Sequence, residues 1–230
     1  MFPYNHELEI YCMSTPLKFL IVDDHPMIRE SMGDALESKF EGAIVKKIDS
    51  SENALEFLTP FARQGKESSW WVLMDLGLPG ISGLAAIRLI LALGSVIKLI
   101  TVSGNDDELQ VGACIGAGVL AFVSKGASID DTLELIDNLI EEKIKPGAWL
   151  SSRGLSNTQE IKKIQLTDRQ MQVLSMICQG KTNREISSAL GITEITAKSH
   201  VGGIFRELHV INRTQAVLVA QRLGITSNNL

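Results

Sequence analysis

From Leu17 onward, short apolar runs alternate with longer amphipathic stretches. Leu17–Val22, Ala43–Ile48, Val72–Met74, Val96–Val102 and Val119–Val123 are of strand length. Between and after them, Pro26–Lys39, Glu52–Arg63, Leu84–Leu93, Asp107–Ile115 and Ile129–Glu142 are of helix length. Five strand-helix units in series predict a (βα)5, doubly wound parallel sheet with helices on both faces. This first domain spans 17–142, after an N-terminal extension over 1–16.

The pattern changes after that. Residues 143–164 mix Pro, Gly, Ser, Asn and charge without a period, which predicts a linker, with Trp149 and Leu150 packed on one of its neighbours. Over 165–230 a 3.6-residue period takes over and predicts a small all-α, four-helix domain. Its first helix has Leu166, Val173, Leu174 and Ile177 at helical spacing, a Thr167/Gln170 capping box and Gly180 as terminator. Thr182 and Glu185 repeat the box for a second helix that Gly191 stops after about two turns. Thr193 caps a longer third helix with an apolar stripe of Ala197, Val201, Ile204, Phe205 and Leu208. Thr196, Lys198, Ser199, Gly202, Gly203 and Arg206 fall on the opposite face. A short helix, a glycine-containing turn and a longer helix make a helix-turn-helix, whose second member enters the DNA major groove.

Charge sharpens this division. Residues 1–142 carry 10 basic and 22 acidic side chains (net −12), 143–164 carry 5 and 1 (+4), and 165–230 carry 7 and 4 (+3). An acidic domain followed by a mildly basic one suits a regulatory module joined to a nucleic-acid binder. No apolar run is long enough to span a bilayer, and the first twelve residues lack the basic start and apolar core of a secretory signal. Cys12, Cys114 and Cys178 are scattered, without the paired spacing of a zinc or redox site, which fits a reducing cytoplasm.

The candidate chemistry gathers where the predicted strands end. In WWVLMDLGLPGISG, residues 70–83, Asp75 closes an apolar run and a Gly- and Pro-rich turn follows at once. Asp75 alone could as well cap a helix beginning near Ser82. Strand one, however, ends in Asp23 and Asp24, strand four in Thr101 and Ser103, and strand five in Ser124 and Lys125. Three converging carboxylates repel one another unless a cation joins them, and a hard oxygen set favours Mg2+. A phosphoryl group on Asp75 would then meet the metal, the Lys125 ammonium and the Ser103 hydroxyl.

At these residues the chain resembles the receiver domain of two-component response regulators. LIVDDHP, LMDLGLPGISG, LITVSG and FVSKGA match its signature blocks in order over about 125 residues. The resemblance implies that Asp75 is the phosphoacceptor, Asp24 a direct Mg2+ ligand, Asp23 a ligand through water, and the Gly77 carbonyl a third protein ligand. Ser103 and Lys125 would be the switch hydroxyl and the phosphate-binding lysine. Phe122 would be the aromatic that changes rotamer with the switch, or a plain core residue. Gly77 and Gly104 stand where the family varies and sets phosphoryl lifetime and access. A nucleotide-binding sheet wants a glycine-rich turn after strand one, where this chain has DDHP with Pro26 opening the helix. An aspartyl phosphatase of the haloacid dehalogenase type wants a carboxylate two residues after its nucleophile, where this chain has Gly77.

Residues 166–224 resemble the NarL/LuxR-type DNA-binding domain through LTDRQMQVL, GKTNREISSALGIT, TAKSHVGGIFREL and NRTQAVLVA. By that resemblance Lys198, Ser199 and the Gly202 position face the groove. Lys181, Asn183, Arg184, Thr196 and His200 would hold the DNA backbone, with Arg206 on the same outer face. A final helix over Arg213–Leu223 would pair with its twin through Val217, Leu218 or Gln221. The chain departs from the family at Gln170, usually Glu, and at Gly202 and Gly203, where relatives carry long side chains. Two mid-helix glycines cost about 1 kcal/mol each relative to Ala and imply less phosphate-driven binding with closer backbone approach. Taken together, the expectation is a bacterial cytoplasmic transcription regulator, not an enzyme. A sensor histidine kinase would phosphorylate Asp75, and a homodimer would bind double-stranded DNA through the helix around 193–209. The rivals are a phosphorylation-independent LuxR-type regulator whose receiver is a dimerisation scaffold, and a small-molecule-sensing LuxR-type receptor, which should lack the carboxylate cluster.

Overall fold

The computed structural model describes residues 15–62, 69–81, 83–156, 164–223 and 225. Expectations for the extension before 15, for Cys12, Arg63 and Ser82, and for 157–163 lie outside the described residues. The strand-helix alternation runs β1 (Lys18–Val22), α1 (Pro26–Lys39), β2 (Ile44–Ile48), α2 (Ser51–Leu58), β3 (Trp70–Asp75) and α3 (Gly83–Leu91). It continues through β4 (Ile97–Ser103), α4 (Glu108–Ala117), β5 (Ala121–Ser124) and α5 (Ile129–Ile140). A short 3-10 turn, Thr59–Phe61, ends α2 earlier than the sequence pattern suggests, because Pro60 cannot continue the amide ladder.

The sheet order is β2-β1-β3-β4-β5-β6-β7. The first five strands are parallel, and the order reverses between β1 and β3. At that reversal the crossover helices leave to opposite faces and open a crevice at the carboxyl ends. Strand residues alternate between faces, so each strand feeds two cores. Phe19 and Ile21 face a cluster with Leu36, Phe40, Ile136 and Leu139 under α1 and α5. Leu20 and Val22 face the other, with Ala54, Ile87, Ile90 and Val111 under α2, α3 and α4.

The stretch 143–164, read from sequence as a connector, instead contributes β6 (Ala148–Ser151) and β7 (Gly154–Ser156) to the same sheet. β6 pairs parallel with β5, and β7 folds back antiparallel on β6. Ala148 and Leu150 seat β6 on the α1–α5 core, an alternation too short to register as a period. Gly147 and Gly154, at φ 94° and 103°, make the bends before β6 and after the hairpin turn.

The last domain comprises α6 (Asp168–Cys178), α7 (Asn183–Leu190), α8 (Glu194–Glu207) and α9 (Arg213–Arg222). Both capping boxes form: the Thr167 and Thr182 side chains accept from the N3 amides while Gln170 and Glu185 reach back. Gly191 ends α7 in the left-handed region, φ 63°. The apolar core of this domain is continuous with the α2–α4 face of the sheet. Ile164 N donates to Gly112 O at 3.2 Å and Leu84 N to Leu223 O at 3.1 Å. Arg88 Nη1 meets Asp168 Oδ1 at 2.8 Å, and its other nitrogen bonds Leu166 O. A Cβ on Gly116 would lie 2.4 Å from Ile164 O, so only glycine lets the chain pass this close to α4.

Candidate phosphoacceptor site and nucleic-acid interface

Asp75 is the last residue of β3 and Asp23 follows β1 directly, so the strand-order reversal sets the two carboxylates side by side. Both are 3% exposed, which makes their partners decisive. Lys125, just past β5, supplies one charge to both: Nζ is 2.7 Å from Asp75 Oδ2 and 3.0 Å from Asp23 Oδ2. Burial pulls the Lys125 pKa down, but its hydrogen bonds to Asp75 and Asp23 more than offset that, leaving it above the ordinary lysine value. Asp75 Oδ1 accepts from Gly77 N at 3.0 Å, so both carboxylate oxygens are held within the pocket. A Cβ on Gly77 would stand 3.5 Å from Asp75 Oδ2, and glycine leaves that side of the carboxylate open.

Asp24 is exposed at the rim. Sequence reasoning passed over its neighbour His25, although DDHP places an imidazole beside both acids. His25 Nδ1 lies 3.0 Å from Asp23 Oδ1 and 2.9 Å from Asp24 Oδ1, while His25 N donates to Asp23 Oδ1 at 2.8 Å. Asp23, Asp24, His25 and Asp75 each offer one donor atom, all within 4.8 Å of one another. Three of the four donors are carboxylate oxygens, a set that fits a hard divalent cation. Ser103 ends β4 next to Ser124 in register, and its Oγ accepts from Asn105 N at 3.2 Å. Phe122, wholly buried, packs in the α2–α4 core. Cys114 in α4 is inert as a nucleophile, its thiol pushed up to about 12 by burial.

The second site is the outer face of α8. Ala197 and Ile204 are buried, Val201 and Phe205 half-buried, and Leu208 closes the helix from inside, as the apolar stripe requires. Thr196, Lys198, Ser199 and Arg206 are exposed, and His200 and Gly202 half-buried. At the turn before α7, Lys181 and Asn183 are half-buried and Arg184 exposed. The two glycines expected to share the groove face part company. A Cβ on Gly203 would lie 2.9 Å from Gln170 Nε2, so Gly203 faces α6, whereas one on Gly202 would meet nothing within 4 Å. The first domain touches this one through the start of α6, the end of α9 and the Ile164 segment, and leaves the outer face of α8 in solvent.

The receiver-domain family of response regulators matches residues 19–137, and the luxR family of bacterial regulatory proteins matches 164–220. The chain belongs to the LuxR family of response regulators. Response regulator protein VraR of Staphylococcus saprophyticus is 30% identical over 207 residues, 89% of this chain and 96% of that protein. Transcriptional regulatory protein LiaR of Bacillus subtilis is 29% identical over 212 residues, 90% of this chain and 97% of its own. A solved structure of two RcsB dimers on two parallel DNAs shares the fold, with a TM-score of 0.54, 20% identity, 90% of this chain and 98% of that one covered. The response regulator therefore joins a receiver to a LuxR-type DNA-binding domain, in a family of regulators. Among the described residues, no helix is long and apolar enough to cross a membrane.

Proposed function

We propose that a sensor histidine kinase of the bacterial cytoplasm transfers a phosphoryl group to Asp75, and that the chain acts as a homodimer on double-stranded DNA. The observation that carries this reading is the buried Asp75 carboxylate, gripped by Lys125 and the Gly77 amide at the open end of the sheet. In the transfer an Asp75 oxygen attacks phosphorus. The P–O bond forms as the P–N bond to the kinase histidine breaks, and the leaving imidazole takes a proton from solvent.

Asp23, Asp24, Asp75 and the Gly77 carbonyl would hold Mg2+, which, when bound, neutralises charge on the phosphoryl oxygens. Lys125 then exchanges its Asp75 partner for a phosphoryl oxygen, and the Ser103 hydroxyl donates to another. Turning Ser103 inward takes its Oγ from the Asn105 amide. Asn105 Nδ2 is bonded to Asp107, whose side chain caps α4 by accepting from Gln110 N at 2.9 Å. Helix α4 in turn seats Ile164, so a shift at Ser103 has a physical route to the DNA-binding domain. Phe122, buried under the same face, is the side chain whose rotamer would follow. A phosphoryl group changes DNA binding only by its differential interaction with the two arrangements.

On DNA, Lys198, Ser199 and the Gly202 backbone would meet base edges. Lys181, Asn183, Arg184, Thr196, His200 and Arg206 would hold the phosphate-sugar backbone. Leu218, 54% exposed on α9 beside half-buried Val217, suits contact with the twin subunit. The test is intact mass, oligomeric state and DNA affinity after incubation with a small phosphodonor and Mg2+, alongside Asp75→Ala. One phosphoryl group on the unmutated chain alone, with a shift to dimer or tighter DNA binding, is the expected result. No gain of mass would sink phosphoryl control.

A further inference from the structure

The recognition helix shows one feature that its motif does not absorb. Ile195, in the first turn of α8, is 81% exposed. A β-branched apolar side chain in water at a helical position is unfavourable on two counts, helix propensity and unburied apolar surface. Counting along the helix, Ile195, Lys198, Ser199 and Gly202 stand at i, i+3, i+4 and i+7, one stripe opposite the buried Ala197 and Ile204. Lys198 reaches back along that stripe to Glu194 at 3.6 Å, an exposed pair that yields readily to a phosphate or base. The far end is Gly202, where a side chain would touch nothing of this protein, so the notch has no internal packing reason. The stripe is thus an apolar knob, a cation, a small hydroxyl and a notch, on a domain of net charge +3.

A recognition helix reads base edges mainly with its N-terminal residues, and the Gly202 notch lets the helix lie close along the groove floor. Among the four bases, the apolar group offered on that floor is the C5-methyl of thymine. We infer that Ile195 is a specificity-determining residue of the DNA site, packing its side chain on one thymine methyl in each half-site. This rests on the DNA-binding reading, and its test separates the two.

Double-stranded DNA is selected from a random pool by the full-length chain. Each thymine of the selected site is then replaced in turn by deoxyuridine, which pairs identically and lacks only the methyl. Wild type should bind about fourfold more weakly when one particular thymine per half-site is replaced. Ile195→Ala should bind the unmodified DNA about tenfold more weakly and be indifferent to deoxyuridine at that position, the signature of coupled partners. The exposed Ile195 holds no core contact, and Ala is the better helix former, so loss of fold does not account for such a result. Wild type indifferent at every position, or a deoxyuridine penalty that survives in Ile195→Ala, overturns the inference while leaving DNA binding intact. A change in the oligomeric state of DNA-free Ile195→Ala overturns it in favour of a protein contact. Failure to select any sequence overturns the DNA-binding reading itself, and this inference with it.

Discussion

The pocket around Asp75 and the outer face of α8 solve opposite electrostatic problems. In the pocket, two buried carboxylates share one lysine, each contact is near 3 Å or less, and little water screens them. On the outer face of α8 Thr196, Lys198, Ser199 and Arg206 stand in solvent, and the Lys198–Glu194 ion pair is exposed and long at 3.6 Å. Preorganised charge suits the phosphoryl-accepting role proposed for Asp75, which calls for one fixed geometry. Loosely held charge suits a surface that exchanges its own partners for phosphates and base edges. Single substitutions should accordingly be severe in the first region and graded in the second.

The largest effect should come from Lys125→Ala, which takes away the ammonium that Asp23 and Asp75 share. Removing one partner of a buried ion cluster costs about 3 kcal/mol of unfolding free energy. Urea unfolding without divalent ions would measure the loss, and added Mg2+ should restore much of it by replacing the missing charge. An equal loss with and without Mg2+ would argue that packing of the lysine stem, not charge, is at stake.

Next comes the joint between the two regions. Gly116→Ala drives a Cβ into the Ile164 backbone, which cannot move like a side-chain tip, and overpacking of this kind costs about 1–3 kcal/mol. Because the clash lies between the domains, it should also raise protease sensitivity near Ile164 relative to wild type. Resistance equal to wild type would show that the segment slides without penalty.

The two α8 glycines give a smaller contrast. Gly202→Ala, facing open space, should stabilise the domain by about 1 kcal/mol, the full propensity difference. Gly203→Ala should gain less, since its Cβ must displace the Gln170 side chain and that side chain belongs to the α6 capping box. Equal midpoints in thermal unfolding would contradict the assignment of Gly203 to the α6 contact.

The smallest effect is a pH dependence at Glu185. Its pKa is lowered, first by the hydrogen bond from the Thr182 backbone amide and then by the Thr182 hydroxyl. A depressed carboxylate contributes stability that is complete above its unfolded value near 4.5 and fades as pH falls through the lower folded value. Glu185→Gln should therefore be slightly less stable than wild type at neutral pH, with the deficit shrinking as pH falls through the folded value of Glu185, which flattens the acid side of its stability curve. A variant losing as much at pH 7 as at pH 4 would show that the box is worth only its geometry.

Much of this was legible along the chain. Asp75, Asp23 and Lys125 were readable because each follows an apolar run and a parallel sheet gathers such ends at one edge. The Thr167/Gln170 and Thr182/Glu185 boxes span three residues, so their partners are visible in the local sequence. Trp149 and Leu150 were expected to pack and do, with Leu150 buried in the α1–α5 core and Trp149 half-buried on the other side of the sheet. His25 was visible but unread: nothing in DDHP alone says that the imidazole turns back onto both acids. Ile195 does not stand out in the sequence because it lies off the apolar stripe that marks the buried side of α8.

Local order along the chain is enough to specify the kind of domain in each half and the chemical groups at its working edge. Periods of 2 and 3.6, caps and strand-end residues are local signals, and local signals survive in one dimension. Tertiary folding alone settles which groups meet across distance. Lys125 bridges Asp75 and Asp23, Arg88 joins the Leu166 carbonyl and Asp168, and the Ile164 backbone lies against Gly116. It also decided that Gly202 faces out while Gly203 faces α6. Those contacts depend on register, crossover direction and close approach of backbones, none of which leaves a periodic trace in the chain.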